Sequence, residues 1–189
     1  MTIPAPLAEL LERNKEHQEY VKSMPSPPLD MPTMHKWAQE NGGGVMVITC
    51  SDPRLNPYRI LGVDAAREMK TVMIRNAGGR TFDALRSLAV LGTIGNPGTI
   101  VVMHHTDCGM THFHDATVKK HLYEISPEGG DEIEGIKRYG EILGSIDDSI
   151  KEDVAQLRKS PFIAKGTAIV GLKYDVFTGK LEEMESWTR

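Results

Sequence analysis

Two short stretches concentrate reactive side chains: Cys50-Ser51-Asp52-Pro53-Arg54 and His105-Thr106-Asp107-Cys108-Gly109. In extended backbone successive side chains alternate, so Cys50, Asp52 and Arg54 are expected on one face. Pro53 favours this by pushing Asp52 away from the helical region. A guanidinium so close can hold the carboxylate in a charge-assisted pair. In the second stretch, His105 and Cys108 stand at i and i+3, and across a turn both can reach one metal ion. Cys50 and Cys108 are the chain's two cysteines. In an oxidising compartment such a pair suggests a disulfide, in a reducing one a metal site or a reactive thiol, and the count alone does not decide. Two thiolates and one imidazole suit Zn2+ in a tetrahedral site with one open position, the arrangement of catalytic zinc. Zinc lowers the pKa of its water toward ~7 in favourable sites. Here two thiolates cancel its charge, which predicts a weaker effect and an alkaline optimum. Asp52 then matters more, as hydrogen-bond acceptor for that water. The competing readings are structural thiols or a disulfide, an ordinary salt bridge for Asp52–Arg54, and a core histidine for His105.

These residues need a scaffold that brings two distant stretches together. Gly44–Thr49, Thr71–Arg75, Thr99–His104 and Ala168–Asp175 read as strands, and Thr178-Gly179-Lys180 as a turn into a short last strand. Between them, Asn56-Pro57 opens a short helix that Gly62 stops, and Asn76-Ala77-Gly78-Gly79 forms a turn. Thr81–Ile94 reads as a helix capped by Thr81 and ended by Gly95. A helical region covers parts of Thr111–Leu143, broken at Pro127 and Gly129-Gly130. Asp147 or Asp148 starts a clearer helix that turns Ile150, Val154 and Leu157 inward and ends before Pro161. Strand–helix alternation implies right-handed crossovers and a mostly parallel sheet. The expected fold is therefore α/β, a single domain whose central sheet has order 2-1-3-4 and is flanked by helices. With that order, Cys50 and His105-Cys108 lie side by side at the carboxyl ends of the strands, where the strand order reverses.

Leu7–Val21 reads as a helix with one apolar face, followed by Pro25, Pro27, Pro28 and Pro32. Residues 1–34 are expected to form an N-terminal helical arm and linker, and residues 35–189 the zinc-binding domain. An arm of this kind often packs on a neighbouring subunit.

The 189 residues, 40% hydrophobic and 25% charged, with a net charge of −4, suit one soluble domain. No basic stripe points to nucleic acid. The longest apolar runs, such as Val45–Ile48 and Ile100–Met103, are far short of the ~20 residues a membrane helix needs. The N-terminus does not read as a signal peptide, so an intracellular, most simply cytoplasmic, location is expected. Gly42-Gly43-Gly44 lacks the Lys-Ser/Thr of a phosphate loop.

The reactive residues resemble the beta class of carbonic anhydrases, whose ligand pattern is Cys-x-Asp-x-Arg followed by His-x-x-Cys. Cys50, Asp52, Arg54, His105 and Cys108 match it, as do Arg75-Asn76-Ala77-Gly78-Gly79 and Tyr174–Leu181, so the resemblance runs from about Val45 to Leu181. It implies zinc, one Zn2+ per chain, held by Cys50, His105 and Cys108. It also implies Asp52 and Arg54 as the pair that orients the attacking hydroxide, and dimers or larger assemblies. In some members the aspartate swings onto the metal, which would make Asp52 a switch. Thr106-Asp107 between the ligands, Met110 after Gly109 and the short chain point to a compact subgroup whose relatives include carbonyl sulfide hydrolases. The substrate implied is CO2/bicarbonate, with carbonyl sulfide as the alternative and a non-catalytic zinc or thiol protein as a third reading.

Other residues divide between functional and structural roles. Gly78 and Gly79 serve the turn, and Gly78 and Gly109 are candidates to line the substrate with backbone amides. His104 should face away from His105 and be structural. His112, His114 and His121 form a local group that could pass protons, and Asp107 either supports the ligands or caps the turn.

Overall fold

The computed structural model describes residues 5–25, 29–63 and 71–188. In chain order the elements are α1 (Ala5–Ser23), α2 (Met31–Glu40), β1 (Val45–Cys50), α3 (Pro57–Ile60) and β2 (Thr71–Asn76). There follow α4 (Thr81–Gly95), β3 (Thr99–His105), α5 (Asp115–Ile125), α6 (Gly130–Gly135), α7 (Ile146–Lys159), β4 (Ala168–Tyr174) and β5 (Leu181–Thr188). The sheet order is β2-β1-β3-β4-β5. The first four strands are parallel in the expected order, and β5 joins the β4 edge antiparallel, with a bulge between Gly171 and Leu172.

The inner strands are runs of Val, Ile, Thr and Met, the composition of strands covered on both faces. On one face, Ile48, Ile100, Val102 and Ile169 meet Ala84 and Leu88 of α4 and Ile150, Val154 and Leu157 of α7. Full burial of each Val, Leu or Ile among them stabilises by about 1.5–3 kcal/mol. Gly171 lets α7 close onto β4, because a Cβ there would stand 2.5 Å from Ile150 Cγ2. The other face carries Val47, Val101 and Met103, covered partly by Ile60 and Leu61.

Several boundaries differ from expectation for local reasons. Cys50 and His105 are the last residues of their strands, paired with Asn76 and Tyr174, rather than the first residues beyond them. Thr81 does not cap α4. It is the first helical residue, and its amide donates to Asp153 Oδ2 of α7 at 3.0 Å. Ser145 caps α7 in a reciprocal pair with Asp148, so that helix starts at Ile146 rather than at an aspartate. The last strand is eight residues long, not short.

α1 is exposed along almost its whole length, with Leu7, Leu10, Leu11 and Tyr20 all facing outward. Ion pairs Glu9–Arg13, Glu12–Lys15 and Glu19–Lys22 run along it, each a weak contribution at an exposed surface. Position 34/35 falls inside α2, which buries Ala38. Among the described residues, no helix is long and apolar enough to cross a membrane.

Candidate metal centre

β1 and β3 are adjacent and parallel, so their carboxyl ends deliver Cys50 and His105 to the same rim of the sheet. Thr106 and Asp107 then turn the chain back, with Asp107 in the left-handed region at φ 53°, and return Cys108 to the same point. The donor atoms of Cys50, His105 and Cys108 lie within 4.8 Å of one another, and all three residues are buried.

The thiols are free, with Sγ atoms 3.8 Å apart, far beyond the ~2.05 Å of a disulfide. Two sulfurs each ~2.3 Å from a tetrahedral ion stand ~3.8 Å apart, so the observed separation suits two ligands on one zinc. His105 Nδ1 lies 2.9 Å from the Thr106 carbonyl, which fixes the proton on Nδ1 and leaves a lone pair on Nε2. That buried Nε2 has no hydrogen-bond partner. A metal ion would satisfy it, and the donor set fits zinc.

Electrostatics agree with a cation site. The Cys108 thiol 3.8 Å away draws the Cys50 thiol below its ordinary value, with His105 beside it acting in the same direction. Cys108 is pushed up by that neighbouring thiolate and by burial. The pair thus carries one negative charge readily, and the second proton leaves when a cation offsets the repulsion.

Asp52 and Arg54 come together by a turn, not by strand alternation. The chain leaves strand geometry after Cys50, Arg54 N–H donates to Asp52 Oδ1 at 2.9 Å, and Leu55 N–H donates to the Asp52 carbonyl at 3.1 Å. This Asx-type turn folds the arginine back over the aspartate. Arg54 Nε then reaches Oδ1 at 3.0 Å and Nη2 reaches Oδ2 at 2.7 Å. The Arg54 guanidinium holds the Asp52 carboxyl down at about 2. Asp52 Oδ2 stands 3.8 Å from His105 Nε2, beside the donor triangle and paired away from it.

Arg75 of β2 steadies the turn from behind, donating to the Cys50 carbonyl at 3.1 Å and the Asp52 carbonyl at 2.8 Å. His104 faces the opposite side, between Ser149 Oγ, the Gly79 carbonyl and Asp153. Asp153 also receives Arg80, so this buried cluster ties β3, α4 and α7 together behind the centre. Gly79 sits so close to β1 that a Cβ would lie 2.8 Å from the Cys50 amide nitrogen. Gly78 is buried against Gly140 and Met110, whereas Gly109 is exposed. The histidine group is dispersed: His112 approaches Asp107 at 3.4 Å, His114 pairs with Glu141 at 2.5 Å, and His121 pairs with Glu124 at 3.3 Å.

The family model described as carbonic anhydrase matches residues 45–181, which contain every residue of this centre. A protein called beta-carbonic anhydrase 1 from Mycobacterium tuberculosis (strain ATCC 25618 / H37Rv) is 33% identical over 144 residues, 74% of this chain and 81% of the relative. The chain belongs to the beta-carbonic anhydrase family. Within it the chain is also similar to a carbon disulfide hydrolase from Acidianus sp. (strain A1-3), 32% identical over 165 residues, 76% of this chain and 78% of the relative. The carbonic anhydrase structure from Streptococcus mutans superposes with a TM-score of 0.75 at 29% identity, covering 97% of this chain and 100% of the other.

Proposed function

We propose that this family member is a zinc-dependent carbonic anhydrase, interconverting CO2 and water with bicarbonate and a proton. The observation that carries this reading is the buried Cys50–His105–Cys108 triangle with the ionised Asp52 carboxylate held beside it by Arg54. In this reading Cys50, His105 and Cys108 are the zinc ligands, with one Zn2+ per chain, and Asp52 and Arg54 are the catalytic pair. Zinc in such a donor set supplies Lewis acidity, which lets water lose its proton nearer neutral pH. Asp52, ionised at pH 7, accepts a hydrogen bond from the attacking water and sets its orientation. Arg54 keeps that carboxylate ionised and in place. Leu55, Ile142, Met110 and Val176 pack around the sulfurs and give a linear, uncharged substrate an apolar wall. Backbone at Gly78, which lies against Met110, and at Gly109 is the candidate substrate-facing surface.

The test is stopped-flow CO2 hydration at mildly alkaline pH, on protein whose zinc content has been measured. Turnover well above the buffer rate supports the reading, and zinc-loaded protein without CO2 turnover overturns it. Hydrolysis of carbonyl sulfide to CO2 and hydrogen sulfide on the same site is the second reading. The 32% identity to a carbon disulfide hydrolase, which acts on a related linear sulfur compound, favours keeping it, and sulfide release with weak CO2 hydration selects it. A non-catalytic zinc or thiol protein would need no Asp52–Arg54 pair beside the donors.

The reading includes a homodimer or a larger homo-oligomer. Its support is α1, which exposes Leu7, Leu10 and Leu11, and an apolar hollow of about 190 Å³ lined by Met31, Met34, Trp37, Leu91 and Ile94. A helix with an uncovered apolar face gains most of its stability by docking that face. Division into an arm (1–34) and a zinc-binding domain (35–189) is part of the same reading. So is a cytoplasmic location, which rests on the absence of a signal-peptide pattern at the N-terminal residues of the sequence.

A further inference from the structure

Arg54 is held from two sides. While Nε and Nη2 engage Asp52, Nη1 donates to Asp107 Oδ2 at 2.8 Å and Nη2 donates to the Asp107 carbonyl at 2.7 Å. The Arg54 side chain is 44% exposed, so without these contacts it would sample other rotamers and exchange its partner for water. Asp107 and Asn96 are the non-glycine residues at positive φ among those described. Asn96 ends α4 as a left-handed cap, a common use of that conformation. Asp107 has no such role. Its backbone suits glycine better, yet both its carbonyl and its carboxylate land on Arg54. The pairing also holds the Asp107 carboxyl below the usual carboxylate range, through Arg54 first and His112 second.

We propose that Asp107 is a positioning residue: acting through Arg54, it keeps the Asp52 carboxylate oriented for the attacking water and off the metal. Asp52 Oδ2 is already only 3.8 Å from His105 Nε2, so a small swing of an unclamped Asp52 would bring it to the donor triangle. The guanidinium between the two carboxylates, Asp52 and Asp107, prevents that swing. This inference rests on the reading of Cys50, His105 and Cys108 as metal ligands.

Asp107→Gly and Asp107→Asn, each alone and combined with Asp52→Asn, test it. Both single variants tolerate the left-handed backbone, so the turn is retained. Asp107→Gly should keep zinc and lower kcat about tenfold to a hundredfold, with KM little changed. Asp107→Asn still offers an oxygen to Arg54 Nη1 and should recover most of that loss. On the Asp52→Asn background, Asp107→Gly should cost nothing further. The visible spectrum of the cobalt(II)-substituted protein should change in Asp107→Gly and revert when Asp52→Asn is added. Unchanged kcat with an unchanged cobalt spectrum, or an equal loss on the Asp52→Asn background, overturns the proposal. The cobalt arm needs no turnover, so a cobalt-loaded wild type without hydration overturns the function reading alone. A wild type that binds no cobalt overturns both.

Discussion

Asp52 sits between the putting-in-place of Arg54 on one side and the donor triangle on the other, and its charge is the property most open to test. Asp52→Asn keeps the shape and removes the charge. It should retain full zinc content yet lose about a hundredfold or more in CO2 hydration, read by stopped flow with metal analysis on the same sample. The Asp52 carboxyl is lowered to about 2, against ~3.9 in an unfolded chain. A depressed carboxylate contributes stability that is present above the unfolded value and lost as pH falls through the folded one. The Asp52–Arg54 pair therefore stays intact through the working range and weakens between about pH 4 and 2. Any acid limb of the activity profile near neutral pH should persist unshifted in variants that keep the Asp52–Arg54 pair. The residue types of the centre were legible because Cys50, Asp52, Arg54, His105 and Cys108 lie in two compact stretches. The route by which they converge was not: alternation assigned Arg54 to the right face, but an Asx-type turn brings it there. The Arg80–Asp153–His104 cluster left no local signal, since its members lie far apart along the chain.

At the scale of elements, the join between α7 and β4 is close-packed at Gly171. Gly171→Ala would drive a methyl toward Ile150 and Val154, whose branched carbons cannot rotate away freely. Overpacking of this kind costs about 1–3 kcal/mol. Thermal unfolding should therefore shift down by several degrees, at ~2–4 °C per kcal/mol for a chain of this size, with zinc content unaffected. The inner strands were readable from β-branched runs such as Val45–Thr49, because burial on both faces demands them. The full length of β5 is harder to read, since Leu181–Thr188 lies at a sheet edge, carries three glutamates among its eight residues and breaks its alternation at Glu182-Glu183. The segment between α6 and α7 has no regular structure to read. It is held by specific contacts, including Asp115 accepting from the Tyr139 and Glu141 amides.

At the scale of the whole molecule, α1 leaves Leu7, Leu10 and Leu11 uncovered. Replacing Leu7, Leu10 and Leu11 together by Ser leaves the core untouched. If α1 holds the proposed homo-oligomer together, sedimentation should show a smaller mass for the variant than for the wild type at the same concentration, and an equal mass for the two would remove α1 from that role. The apolar spacing of Leu7, Leu10 and Leu11 made a helix legible there, and α1 runs over Ala5–Ser23, but what a helix packs against is not written in its own residues. Metal removal acts on the whole chain as well. Ligand binding to the folded state alone adds about 4 kcal/mol at a thousandfold excess over Kd, so chelation should lower the melting temperature by many degrees.

The two sulfurs that suit one ion at 3.8 Å are also near neighbours once that ion is stripped away. Chelated protein left in air should lose both free thiols from a dye titration and fail to take zinc back, and dithiothreitol should restore both. The metal would then act as a preservative for its own binding site, and the shelf life of a preparation would depend on how fully it was loaded.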